Sequence, residues 1–285
     1  MASLAQSQDP KVEVSQAYVF RECERLNSLL VAREVPDLVK IARQKNVRSI
    51  ILTSLPVEAY IEAVSGGFQI YLSSERYRDL EMGDPEPILS KRERFTLAHE
   101  IIHTFFYACL NDAARTLTVP TLIRGAWTAQ IENLCQLGAN RLLLPERTLI
   151  DYFPVEGGGP SAAGIVMYSD HYKVSPQAAF IRLCSDAFQA MRPGRCLLYL
   201  STRDRKVADW TVSHVLSGPG RLGDYHASIV RGARIGGQFY GEALDVEKAL
   251  SESGQDVDYG DSRLRIGLCW TNHARTEGIL DVQLT

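Results

Sequence analysis

Two histidines and a glutamate lie close together in the stretch Arg94 to Phe106, which reads R-F-T-L-A-H-E-I-I-H-T-F-F. They form the pattern H-E-x-x-H at His99, Glu100 and His103. On a helix of about 3.6 residues per turn, positions four apart lie one above the other, so both rings can present a nitrogen to one point. That geometry suits a zinc ion, with Glu100 placed as a general base rather than as a ligand.

The residues around this motif are apolar on most sides of the predicted helix, as expected for a helix buried in a core. They are Phe95, Leu97, Ile101, Ile102, Phe105 and Phe106. An ordinary core helix that carries two histidines by accident is the alternative interpretation. The chain has six histidines, so a chance H-E-x-x-H is on the order of a per cent event, and this favours the metal site.

A catalytic zinc needs a third protein ligand and leaves its fourth position to water. The candidate is Glu132, in the predicted helical segment A-Q-I-E-N-L-C-Q-L-G-A-N-R-L-L-L-P. A carboxylate beside the apolar face of that helix would be costly to bury without a partner such as zinc. A solvated helix charge is the alternative for Glu132. Gln136, one turn further on, could hydrogen-bond the far ring nitrogen of a ligand histidine and fix its orientation.

Helices and a small sheet must position these residues. A change from helical to alternating periodicity, with Gly and Pro between segments, predicts the elements before the motif. The predicted helices run from Ser15 to about Glu34 and from Pro36 to Lys45. The predicted strands of an antiparallel sheet span Val47 to Thr53, Ala59 to Val64 and Phe68 to Leu72. Residues 74 to 90 are predicted to form an exposed connection, after which the motif helix begins around Lys91.

After the motif the chain is first helical and then rich in strands. The predicted helices are Thr128 to Leu143, Pro145 to Tyr152, Ser161 to Tyr172, Pro176 to Met191 (with Ser175 as N-cap) and Glu242 to Ser251, and the strands are Cys196 to Leu200, Thr211 to Val215, Arg263 to Thr271 and Ile279 to Leu284. This change of composition predicts a domain at 1–194 and a β-rich domain at 195–285. The helical pair at about 160–192 resembles a helix-turn-helix but carries few cations, which favours a structural or protein-docking role.

Composition narrows the class of partner. The 285 residues carry a net charge of −3, so direct binding to nucleic acid or to an anionic membrane is not expected. No basic, apolar leader and no apolar run of about eighteen residues is present. The six cysteines are scattered without a C-x-x-C pair, which is typical of a reducing cytoplasm. We therefore predict a cytoplasmic protein.

The segments at 94–103 and 132–145 together resemble the ImmA/IrrE family of zinc metallopeptidases. That family carries R-F-T-x-A-H-E-x-x-H followed by E-x-x-[AC]-N-x-F-A-x-x-L-L-x-P. A gapless match places Glu132 on the third ligand and Cys135 on the small residue. The chain departs from the pattern at Gln136, where Asn is usual, and at Gly138, where Phe is usual. A weaker likeness extends over roughly residues 36 to 192, including H-Y-K-V-S-P-Q-A-A-F-I-R-L at 171–183.

The resemblance implies an α+β fold with a gluzincin-like metallopeptidase core, in which a small antiparallel or mixed sheet covers the active-site helices. It also implies one Zn²⁺ held by His99, His103 and Glu132, with Glu100 as the general base. Family members cleave Xre-type helix-turn-helix repressors and so derepress stress-response, phage or mobile-element genes. The implied partner of this chain is therefore such a repressor.

Two questions stay open at this point. The first is the residue that would provide a second oxyanion donor; Tyr168, His171 and Tyr172 are near enough in sequence to consider, but Tyr172 is expected in the core. The second is the class of function. The chain could instead be a ligand sensor or protein-interaction module in which zinc is mainly structural. Glu100 favours the enzyme, because a structural site prefers four closed protein ligands and needs no base.

Overall fold

The chain folds into two compact units, Met1–Leu143 and Leu144–Thr285. The computed structural model describes residues 16–28, 34–75, 78–81, 88–108, 126–153, 159–185, 195–202, 210–217, 234–235, 256–259, 262–271 and 277–284. The domains predicted at 1–194 and 195–285 do not coincide with the two units, and the roles given to those domains stay predictions.

The first unit combines four helices with a four-stranded sheet. Its helices are α1 (Gln16–Asn27), α2 (Leu38–Gln44), α3 (Lys91–Ala108) and α4 (Ala126–Leu143), and its strands are β1 (Val47–Thr53), β2 (Ala59–Val64), β3 (Gly67–Ser73) and β4 (Arg78–Glu81). Helix α3 packs against α2, α4 and the strands β2 and β3. The helix that carries the H-E-x-x-H motif therefore lies at the centre of this unit.

The sheet of the first unit has the strand order β2-β3-β1-β4. Strands β2 and β3 form an antiparallel hairpin whose turn contains Gly66 at a φ of 78°. Strand β1 runs parallel to β3 and antiparallel to β4, so the sheet is mixed rather than purely antiparallel. Strand β4 lies in the segment predicted as an exposed connection. Its Leu80 pairs with Ile50, and the backbone groups on the second edge of β1 thereby gain partners.

Close approach of three helices sets the position of α4. Cys23 in α1 donates a hydrogen bond from Sγ to the carbonyl of Gly138 at 3.5 Å. A Cβ on Gly138 would lie 2.8 Å from Cγ1 of Val19 and 3.0 Å from Cγ2 of Ile102 in α3. Only glycine leaves room for this approach, because real Cβ atoms do not come that close to neighbouring atoms.

The second unit contains three described helices and a six-stranded sheet. The helices are α5 (Glu146–Tyr152), α6 (Ala162–His171) and α7 (Pro176–Ser185), and the strands are β5 (Arg195–Thr202), β6 (Trp210–Ser217), β7 (Arg234–Ile235), β8 (Asp256–Tyr259), β9 (Ser262–Trp270) and β10 (Glu277–Leu284). The sheet is antiparallel, in the order β7-β6-β5-β10-β9-β8. Predicted helical residues 186–191 and 242–251 lie outside the described residues.

Local hydrogen bonds explain where the helices of the second unit begin. Ser161 caps α6 by accepting from the backbone N–H of Gly164, and Ser175 caps α7 by accepting from that of Ala178, both at 3.1 Å. Each bond satisfies an amide that the first helical turn leaves without a partner. The α+β class is confirmed. Among the described helices, none has the length and apolar character needed to cross a membrane.

Candidate metal site

Helix α3 is held firmly at its start and along its buried side. Ser90 and Glu93 form a reciprocal capping box, in which Glu93 accepts from the Ser90 N–H at 2.7 Å and Ser90 accepts from the Glu93 N–H at 3.2 Å. Arg94 is 1% exposed and donates from Nη2 to the carbonyl of Pro36 at 3.0 Å. Five apolar side chains on the helix are completely buried: Leu97, Ala98, Ile101, Ile102 and Phe105.

The structure brings the two histidines of the motif together. The Nε2 atoms of His99 and His103 lie 3.2 Å apart, and the rings meet edge to face. Their side chains are 14% and 11% exposed. Burial and the neighbouring His99 lower the pKa of His103 to about 4. The His103 ring is therefore neutral at pH 7, which is the form that binds a metal.

Glu132 reaches the same point from α4. Its Oε2 lies 3.0 Å from Nε2 of His99 and its Oε1 lies 3.5 Å from Nε2 of His103. Bond lengths of about 2.0–2.1 Å in a tetrahedral zinc site separate neighbouring ligand atoms by roughly 3.3 Å. The three observed separations bracket that value. The two carboxylate distances involve different oxygens, and the donor types and their approximate spacing suit a zinc ion.

The tautomer of each ring decides which of these contacts can be a hydrogen bond. The Nε2 atom of a neutral imidazole carries either one hydrogen or one lone pair in the ring plane. If His99 donates from Nε2 to Glu132, it has no lone pair left for His103, although the two nitrogens are 3.2 Å apart. A cation between the two ring nitrogens and the carboxylate would be bound by a lone pair from each residue.

Cys135 is a further candidate ligand that the sequence reasoning did not select. It lies one turn after Glu132 on α4, is completely buried and forms no disulfide. Its Sγ and the nearest ring nitrogens of His99 and His103 all lie within 4.8 Å of one another, so these three residues could also hold a metal. The shorter distances of Glu132 favour the carboxylate as the ligand in this conformation.

Glu100 is buried beside the candidate ligands. Glu100 is 8% exposed. Burial, together with the nearby Glu132 carboxylate, raises the pKa of Glu100 to about 7 in the metal-free protein. A carboxyl group with a pKa near the working pH can both accept and release a proton. Glu100 therefore has the property that a general acid and base requires.

Gln136 does not make the predicted contact. It is exposed on α4, and among the described residues neither His99 nor His103 receives a hydrogen bond from its amide. Cys135 and Gln136 lie three and four positions after Glu132 on α4. Here Cys135 is the buried one and Gln136 the exposed one. The predicted bond is therefore replaced by a buried thiol.

The three residues considered as oxyanion donors belong to the second unit. Tyr168 is completely buried, and its hydroxyl lies 2.7 Å from that of Thr148. Tyr172 is 1% exposed, in agreement with the expectation that it lies in the core, whereas His171 is exposed. Both tyrosines therefore have a packing role within their own unit.

A cavity of about 760 Å³, lined by both polar and apolar side chains, lies beside the first turns of α3. Glu58 lies at its edge, where it forms an ion pair with Arg92 and accepts a hydrogen bond from the Thr96 hydroxyl at 3.3 Å. The bond from Arg92 is the main cause that lowers the pKa of Glu58, and the nearby His99 contributes. Thr96, which lines the cavity, lies three positions before His99 on α3.

Comparisons with known proteins leave the family open. No family model matches the chain, and no curated protein matches it significantly. Among solved structures, a transcriptional regulator from Mycobacterium tuberculosis is similar over 93% of this chain and 76% of its own, with 14% identity and a TM-score of 0.47. So low a score supports no conclusion about this chain. The class that the fold and site define is an α+β protein with a possible metal-binding group on two facing helices.

Proposed function

We propose that this chain is a zinc-dependent endopeptidase of the ImmA/IrrE type, with a gluzincin-like core, that cleaves a regulatory protein at a specific site. One observation carries the proposal: the carboxylate of Glu132 and the Nε2 atoms of His99 and His103 form a triangle of zinc-site dimensions, with separations of 3.0, 3.2 and 3.5 Å. The buried carboxyl group of Glu100 on the same helix adds a candidate base.

The proposed site divides its work between binding and proton transfer. His99, His103 and Glu132 would hold the ion, which when bound activates water and polarises a peptide carbonyl. Glu100 would take the proton of the attacking water on its carboxylate and then deliver it to the nitrogen of the departing amine. Its low exposure keeps bulk water away from that carboxylate, which helps to hold its pKa near neutrality.

Access to the site supports a protein substrate. The Glu132 side chain is 46% exposed, whereas the two histidines are nearly buried, so one side of the metal position faces solvent. The cavity beside Thr96 could receive substrate residues on one side of the scissile bond. The identification of an Xre-type repressor as the substrate rests on the sequence resemblance alone.

Glu100→Gln tests the mechanism, because it removes the base and keeps the shape of the side chain. The variant should retain zinc, measured by elemental analysis, while cleavage of the Xre-type repressor encoded nearest to its gene falls by at least about a hundredfold. Glu62→Gln, on an exposed position of β2, makes the same change of charge and should cleave normally. Unchanged cleavage by Glu100→Gln would refute the role of Glu100.

A sensor or interaction module with structural zinc is the second candidate function. The position of Cys135 favours it, since a fourth protein ligand would close the site to substrate. This alternative predicts that the zinc-loaded wild type cleaves neither the repressor nor a mixed peptide library. It also predicts that Glu100→Gln leaves zinc content unchanged.

A further inference from the structure

Two side chains of α4 compete for the same position beside the histidine pair. Glu132 and Cys135 are three residues apart and face α3 from one helix. We propose that Cys135 is an alternative third ligand, so that the metal is held by His99 and His103 together with either the Glu132 carboxylate or the Cys135 thiolate. This inference rests on the proposed metal site and describes how that site is regulated.

Distances decide which of the two ligand sets this conformation favours. Bond lengths of about 2.3 Å to sulfur and about 2.0–2.1 Å to nitrogen separate the ligand atoms by roughly 3.6 Å. The Sγ of Cys135 and the histidine nitrogens lie within 4.8 Å of one another, so the thiol must approach by up to about 1 Å. The Glu132 oxygens already have suitable separations. The carboxylate set, which is His99, His103 and Glu132, therefore has the spacing that a metal needs. The thiolate set, which is His99, His103 and Cys135, requires a small displacement of side chains.

Exchange of the two ligands is balanced in charge and in atoms. Glu132 would leave the metal as a carboxylate, Cys135 would bind it as a thiolate, and the proton of the thiol would pass to water. Each ligand contributes one negative charge to the metal, and the site as a whole would release one proton to water. Neither an oxidant nor a reductant is involved.

The two sets differ in their exposure. Glu132 is 46% exposed and Cys135 is completely buried. A metal held by Cys135 would therefore move towards the interior of the unit and away from the side that faces solvent. The carboxylate set is then the form open to a peptide, and the thiolate set is a latent form that keeps its metal.

Cobalt-substituted full-length protein tests this proposal, because cobalt accepts the same ligands and its bonds to thiolate absorb strongly in the near ultraviolet. Glu132→Gln should bind cobalt and show the thiolate absorption. Cys135→Ser should bind cobalt without it. Each single substitution should weaken zinc binding by less than about tenfold, and the double variant by more than about a hundredfold, because either ligand replaces the other.

Two outcomes would overturn the proposal: Glu132→Gln lacking the thiolate absorption, or a double variant no weaker than Glu132→Gln. Cys135→Ala serves as a second variant if the buried Cys135→Ser is poorly folded. Glu132→Gln alters a half-exposed side chain and should fold normally. These readouts need no peptide. Failure of the proposed peptidase activity, seen in the Glu100→Gln comparison, is therefore separate from failure of the ligand exchange.

Discussion

Gly138 is the position at which a single added methyl group should test the packing behind the metal site. Gly138→Ala places a Cβ 2.8 Å from Val19 Cγ1 and 3.0 and 3.1 Å from Cγ2 and Cδ1 of Ile102. Ile102 directly precedes the candidate ligand His103 on α3, and Gly138 lies one turn after Cys135 on α4. The substitution therefore pushes apart the two helices that carry all candidate ligands.

Two opposing contributions determine how Gly138→Ala changes the free energy of unfolding: overpacking lowers it, and the higher helix propensity of alanine raises it. Carbon atoms in ordinary contact lie about 3.5–4.0 Å apart, so the neighbours of the new methyl must move by roughly 0.7 Å. Overpacking of this kind costs about 1–3 kcal/mol. Alanine instead of glycine inside a helix contributes about 1 kcal/mol in the other direction. We expect the free energy of unfolding to fall by about 1 kcal/mol.

Chemical denaturation of the metal-free protein measures this change, with circular dichroism as the signal. Val19→Ala in the same background is the matched control, because it removes the closest of the three contacts. The double variant should be more stable than the sum of the single effects predicts, by about 1 kcal/mol. A Gly138→Ala variant more stable than the wild type, or strictly additive effects, would refute the overpacking argument.

Two further predictions concern stability and pH. Burial raises the pKa of Glu100 to about 7 in the metal-free protein, so the folded wild type loses stability as the pH rises from 4.5 through 7 and this carboxyl group ionises. Glu100→Gln does not ionise, so in urea titrations its free energy of unfolding should rise relative to the wild type by up to about 3 kcal/mol between pH 4.5 and 8. A constant difference between the two proteins would contradict this prediction. Hydrogen bonds from Arg25, and then from Lys45, lower the pKa of Glu22 to about 2. Glu22→Gln should therefore lower the free energy of unfolding by about 1–2 kcal/mol at pH 7 and by less than about 0.5 kcal/mol at pH 2, measured by the same titration. An equal loss at both pH values would exclude the ion pairs as its cause.

Local patterns predicted most elements of the first unit. The predicted bounds of β1 and β2 agree with the structure, and α3 begins at Lys91 as predicted, because alternation and helical spacing are properties of neighbouring residues. Strand β4 was missed, since its sequence R-D-L-E is charged and pairs only because β1 offers an edge. Pairing of that kind depends on the fold and leaves no strong local signal.

In the candidate site, too, some features follow from neighbouring residues and others depend on how the helices pack. The meeting of His99 and His103 follows from their spacing on one helix. Which residues of α4 face them depends on how α4 rotates against α3, and the close approach at Gly138 sets that rotation. Sequence spacing alone placed Gln136 on the same face as Glu132, whereas packing turns Gln136 outward and Cys135 inward. The buried cysteine one turn after Glu132 was the available signal.

The placement of the candidate ligands on two helices has a consequence for chain entropy. His99 and Glu132 are 33 positions apart, so a bound ion would close a loop of the chain in the way that a disulfide does. Closing a loop of this length removes freedom from the unfolded chain and stabilises the folded one, by about 3–4 kcal/mol in the simplest model. Loading of the metal would thus act as a reversible cross-link, and the site would tie the first unit together as well as perform its chemistry.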